Sequence, residues 1–137
     1  MKIIILLLLL WSATLGAVEY RVIEGAGGLP LQIAEAGDSS TPGVLFIHGA
    51  TMSSSSWLQQ LESPMLQENY HLVAFDLRGH GNSAKPWDAQ SYSDSRIWAD
   101  DVAAVIEATR LDRPVIVAWS LHAQSWRLLN WPTTAIV

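Results

Sequence analysis

The chain has 137 residues, half of them hydrophobic and only 15% charged, which suits one small domain with less surface charge than usual. Thirteen acidic against eight basic side chains give a net charge of −5, and with no clustered Lys/Arg patch this argues against a nucleic-acid partner. Cysteine is absent, so disulfides and thiolate metal sites are excluded and stability has to come from packing.

Lys2, the apolar run Ile3 to Leu10 with Trp11, and the small residues around Ala13 to Ala17 form the three parts of a secretory leader. Residues 1–17 are therefore expected to be a signal peptide cleaved after Ala17, making the protein secreted or periplasmic. The rival reading is an uncleaved membrane anchor, but the run is shorter than the roughly 20 residues that span a bilayer. No stable membrane anchor is expected after cleavage.

From Glu19, alternation through Tyr20, Val22 and Ile23, a Gly-rich turn over Glu24 to Pro30, and a resumed extended segment at Leu31 to Ala34 predict a β-hairpin. Val44 to Ile47 is an unbroken apolar run of buried-strand type after a loop rich in Asp, Ser, Thr and Pro. Ser53 to Ser56 are placed to cap a helix carrying Trp57, Leu58, Leu61 and Leu66, which Pro64 bends or divides. His71 to Phe75 reads as another strand, and Asp76 to Ser91 as a loop. A second helix is expected on the face Ile97, Asp101, Ala104, Val105 and Ala108, interrupted by its own acid. Arg113-Pro114 then introduces the strand Val115 to Ala118. Strands alternating with helices argue for a mostly parallel α/β sheet.

That last strand runs directly into Trp119-Ser120-Leu121, an apolar strand ending in small-x-Ser, which is how a nucleophilic serine is presented. Ala118 meets the demand for a small residue before the turn; His122 fails it after the turn. Two other strand ends carry His48-Gly49-Ala50-Thr51 and Asp76 to Ser83, and in an open α/β sheet such loops share one crevice.

Taken together, FIHGATMSSSSW, VAFDLRGHGNSAKP and VIVAWSL resemble the α/β-hydrolase superfamily in order and spacing, over roughly Glu19 to Leu121. The resemblance implies a three-layer, mostly parallel sheet flanked by helices, with residues 18–121 as the N-terminal part of the domain, truncated after the nucleophile strand. It makes Ser120 the nucleophile, and the backbone N–H groups of Ala50 and Leu121 the oxyanion hole. His48 then shapes its loop, while Asp76 and Arg78 tie theirs down through charge-assisted hydrogen bonds. Trp119 is expected to pack rather than recognise substrate. A small-molecule ester or related acyl compound is the implied substrate of a complete version. Serine in place of an acidic nucleophile argues against the epoxide-hydrolase and haloalkane-dehalogenase branches, whereas perhydrolysis by a serine triad stays open. No cofactor is implied, and no His or carboxylate set has metal-ligand spacing.

The triad of this fold runs Ser, then Asp or Glu, then His along the chain. Residues 121–137 contain no Asp or Glu and one histidine, His122, which a position two residues past the serine carries away from the hydroxyl. A rearranged triad of Asp76, His80 and Ser120 would have to be built in a loop that already has a structural role. The tail 122–137 is unlike the small-residue helix that should follow an elbow. Back-translated from the third base of each codon, it permits Ala or Glu after Trp126, requires Leu and Ala around Asn130 to Pro132, and then permits Asp-Tyr-Gly-Asp. A frameshift after about Leu121 is the expectation drawn from this, with the chain as written inactive; a natural short variant is its rival. Under either explanation the edge of the nucleophile strand and one flank of the core are expected to be exposed, leaving the chain poorly stable or aggregation-prone. The reading from a different class is a non-catalytic binding protein that keeps half the fold.

Overall fold

The computed structural model describes residues 16–119 and a two-residue strand at Ala135–Ile136. The chain opens with the expected hairpin: β1 (Glu19–Glu24) and β2 (Pro30–Ala36) pair antiparallel from Glu19 opposite Glu35 to Glu24 opposite Pro30. β3 (Gly43–Ile47), β4 (His71–Phe75), β5 (Val115–Ala118) and β6 (Ala135–Ile136) complete one sheet in the order β1-β2-β4-β3-β5-β6. The β1–β2 and β2–β4 pairs are antiparallel, and the other three pairs are parallel. The mostly parallel α/β sheet read from the sequence is therefore present, with its antiparallel part confined to the hairpin edge.

Both faces of the inner strands are covered, which is why β3 and β4 read as continuous apolar runs. Alternate residues divide between two clusters. On one face Ile33, Leu45, Ile47, Val73, Phe75 and Ile116 pack against α4 (Ser95–Thr109). On the other, Ala34, Phe46, Leu72 and Ala74 meet Leu61 and the partly buried Trp57, Leu66 and Val117. Phe46 and Trp57 stack with ring centroids 5.0 Å apart.

The helix expected after Ser53 is divided. A 3₁₀ turn (Ser54–Trp57) leads into α1 (Leu58–Leu61), and α2 (Pro64–Gln67) restarts with Pro64 in its first turn, where the missing N–H costs nothing. A short α3 (Gln90–Ser93) precedes α4. Asp94 caps α4, its carboxylate accepting from the Arg96 amide at 2.8 Å, and Arg110 ends it in a left-handed conformation with φ 56°.

The buried face of α4 differs from the expected one. Trp98, Val102, Val105, Ile106 and Thr109 are buried, Ile97 and Ala104 are half-buried and Ala108 is exposed. The stripe is rotated by about one position because Asp101 belongs to its centre: the acid is fully buried and paired, so it does not interrupt the face. Each large apolar side chain on that stripe contributes about 1.5–3 kcal/mol by leaving water.

Candidate active site

β3 lies between β4 and β5, so the connection after β3 leaves to one side and the strand after β4 returns on the other. Such a switch point opens a crevice at the carboxyl ends of the strands. Here it is formed by the His48 turn after β3, the Asp76 loop after β4 and Trp119 after β5. Ile47 and Ala118 are opposite in register, and the ladder runs one residue further, the Trp119 N–H donating to the Ile47 carbonyl at 3.0 Å. The residue immediately before Ser120 is thus held against the root of the Ala50 loop. Ser120 and Leu121 themselves lie outside the described residues.

His48 is fully buried and its two nitrogens have different tasks. The Leu77 amide donates to Nε2 at 3.0 Å, so the ring proton sits on Nδ1 and is donated to the Gly49 carbonyl at 2.8 Å. One neutral imidazole thereby links the loop after β3 to the loop after β4. Its assigned part as a loop-shaping residue fits this geometry. Beyond it, Met52 N–H donates to the Gly49 carbonyl at 3.2 Å, closing a turn in which Thr51 takes φ 65°. A β-branched residue in the left-handed region is strained, and such strain concentrates in loops with a positional task. The Ala50 residue in this turn is exposed, and its N–H meets no acceptor among the described residues.

Asp76 is 1% exposed and holds three segments together. One carboxylate oxygen accepts from the Ser54 amide at 2.7 Å, the other from the Asn82 amide at 2.6 Å, and the Ser83 hydroxyl donates to the Asp76 carbonyl. The serine run was expected to cap the helix with its own hydroxyls. Instead Asp76, 22 residues away, supplies the acceptor at the start of the 3₁₀ turn, and no serine side chain makes a cap bond there. Gly81 completes the clamp: it has φ 47°, and a Cβ at that position would collide with the Asp76 carboxylate.

Arg78 is 3% exposed and forked onto Asp101, with Nε to Oδ2 at 2.6 Å and Nη2 to Oδ1 at 2.8 Å; Asp101 Oδ1 also accepts from the Ala26 amide at 2.9 Å. Arg78 Nη1 donates to the Ser91 carbonyl at 2.9 Å. The pair fastens the Asp76 loop to α4 and to the hairpin turn. Both polar roles expected for Asp76 and Arg78 are structural, and Asp101 is the partner that sequence reading missed. An acid on an otherwise apolar helix face was the available signal, since a buried carboxylate requires a base.

In the rearranged triad, His80 would have to bridge Asp76 to the serine. Its Nδ1 donates to the Arg78 carbonyl at 3.0 Å, and both Asp76 oxygens are engaged by amides. Trp119, expected to pack, is 62% exposed and lines a cavity of about 240 Å³ with Met52, Ser56 and Trp57. The alternation of β5 puts it on the Val117 face, past the end of the covering short helices. A second opening of about 490 Å³ lies over Thr51, Met52, Ser53, Ser55, Ser56 and Gly81. Among the described residues no three His, Cys, Asp or Glu side chains are grouped to hold a metal.

The family model described as "Alpha/beta hydrolase family" matches residues 44–129, more than half of the chain and all three strand-end motifs. The chain belongs to the alpha/beta hydrolase family. Among solved structures, a protein assigned as an aryl esterase from Burkholderia cenocepacia superimposes with a TM-score of 0.78 at 40% identity, over 85% of this chain and 45% of that one. Epoxide hydrolase A of Mycobacterium tuberculosis is 29% identical over 120 residues, 80% of this chain and 36% of its own length. A bifunctional esterase/perhydrolase of Acinetobacter calcoaceticus is 39% identical over 80 residues, 58% of this chain and 28% of its own length. The chain thus spans less than half the length of each of these relatives.

Proposed function

We propose that this family member carries the nucleophile-bearing part of an exported serine acyl hydrolase, acting on a small carboxylic ester or related acyl compound. In this reading Ser120 is the nucleophile and the Ala50 and Leu121 N–H groups form the oxyanion hole. The observation that supports it best is the Trp119–Ile47 hydrogen bond, which sets the residue before Ser120 beside the turn bearing the exposed residue Ala50, whose N–H meets no acceptor among the described residues. A serine oxygen attacking an ester carbonyl leaves an acyl-enzyme that water can cleave. The same oxygen opening an epoxide would leave an ether that water cannot, so the serine favours acyl chemistry over that of the epoxide-hydrolase relatives. Each oxyanion donor lost from such a site slows turnover by about 10²–10³-fold.

The 137 residues supply no acid and histidine in the order a triad needs, so this chain alone is proposed to be inactive. The test is 4-nitrophenyl acetate hydrolysis by this chain and by a single-base-corrected longer frame, each with its Ser120→Ala variant. Turnover in the longer frame that disappears in Ser120→Ala is the expected result. Turnover that survives Ser120→Ala, or epoxide opening in place of ester hydrolysis, overturns the proposal. The tail without Asp or Glu also favours a second reading, a non-catalytic binding protein; soluble, monomeric and cooperatively folding chain with no ester turnover in any frame would select it.

A further inference from the structure

At the β1 edge of the sheet, away from β5, a cavity of about 370 Å³ in the uncleaved chain lies between the segment Gly16, Ala17, Val18, Tyr20 and the short-helix residues Leu58, Glu62 and Gln67; Gly16 and Ala17 are the part of its wall that leader removal takes away. Gln67 is 8% exposed, and its two amide atoms are treated differently. Its Nε2 donates to the Leu61 carbonyl at 2.6 Å, whereas its Oε1 is buried and accepts from nothing among the described residues. Glu62, the other acceptor on the wall, is exposed. Tyr20 and Glu62 are the titratable groups that line the cavity, and neither brings positive charge. Val18 is partly buried and packs on the Ala34, Phe46 and Leu72 cluster. An apolar floor, a carboxylate and an unmet buried acceptor together suit an ammonium carried on an apolar residue.

We propose that this cavity seats the chain's own amino terminus once the leader is removed. The proposal rests on the export reading of residues 1–17. A leader peptidase adds water across the Ala17–Val18 amide: the C–N bond breaks, the Ala17 carbonyl carbon takes the hydroxyl and leaves as a carboxylate, and the Val18 nitrogen takes up protons to become an ammonium. Before cleavage that nitrogen is a neutral amide with one N–H. Afterwards it has three donors and a positive charge, which pair with Glu62 and the Gln67 Oε1 while the Val18 side chain stays anchored. Processing thereby ties the edge strand β1 to α1 and α2.

The full chain is to be expressed with export, and the recovered protein's N-terminus read by intact mass. The processed chain has two amines, Val18 and Lys85, so limited acetylation with a succinimidyl ester near neutral pH gives an internal comparison. Val18 is expected to react about threefold more slowly, relative to Lys85, than in Glu62→Gln, because an ammonium paired with a carboxylate presents less free amine to the reagent. A Gln67→Met variant is expected to show the same release, which keeps the test alive if either variant folds poorly. Equal Val18 reactivity in the parent, both variants and the urea-unfolded chain overturns the docking and leaves export standing. A retained leader, or an N-terminus other than Val18, overturns the export reading and the docking together.

Discussion

Replacing Asp101 by Leu leaves the Arg78 guanidinium 3% exposed with its fork of 2.6 and 2.8 Å hydrogen bonds gone and only main-chain carbonyls to face. Breaking one side of a buried pair costs about 3–5 kcal/mol, because the remaining charge is uncompensated. Removing both partners, as Asp101→Leu with Arg78→Met, eliminates that charge; the residual cost is chiefly the Ala26 amide, which loses its 2.9 Å acceptor, about 1–3 kcal/mol. The double variant is therefore expected to be more stable than either single variant. Urea unfolding followed by tryptophan fluorescence measures all four proteins, with seven tryptophans as reporters. A small domain holds only about 5–15 kcal/mol in total, so Asp101→Asn serves as a milder single variant if Asp101→Leu does not fold. A single-variant cost below about 1 kcal/mol, or a double-variant cost equal to the sum of the singles, would refute the claim that the pair is a buried, mutually dependent unit.

Gly81→Ala drives a methyl into the Asp76 carboxylate at a backbone position with φ 47°, so its hydrogen bonds to Ser54 and Asn82 are disrupted. A loss of at least about 2 kcal/mol in unfolding free energy is expected, and a change under about 0.5 kcal/mol would contradict the clamp. Arg110→Gly removes the left-handed strain at the end of α4 and is expected to stabilise by about 0.5–1 kcal/mol, read as a rise in Tm. Asp88 accepts from both the Ser91 amide and hydroxyl, the amide bond being the larger cause, and its carboxyl is held below the usual 3.8. A depressed folded-state pKa stabilises above the unfolded value and is lost as pH falls through the folded one. Asp88→Asn should therefore lower Tm at neutral pH, with the gap to the parent closing under strongly acidic conditions; a gap that widens there reverses the sign.

The hairpin, the strands at Gly43–Ile47, His71–Phe75 and Val115–Ala118, and the split at Pro64 were all legible in the chain, because each depends on local periodicity or on a residue that cannot donate an N–H. The family was legible for a related reason. Its three motifs sit where strands end, and a strand end is marked by the change from apolar run to Gly- and Ser-rich loop. The phase of α4 was not legible to the residue, since an acid counts as polar in a periodicity and only its pairing with Arg78 makes it interior.

What the sequence determined by itself is the alternation of strands and helices and the three strand-end motifs of the hydrolase family, on which the roles proposed for Ser120, Ala50 and Leu121 rest. What only the tertiary structure decided is which polar groups join the strand ends: the His48 imidazole between two loops, the Asp76 carboxylate capping a turn that begins 22 residues earlier, and the Asp101 carboxylate under the Arg78 fork. Those links run between residues 22 to 29 apart in the chain, and no periodicity encodes them. They arise because β3 packs beside β4 and α4 crosses the sheet, which brings buried donors within reach of acceptors that would otherwise be left without partners.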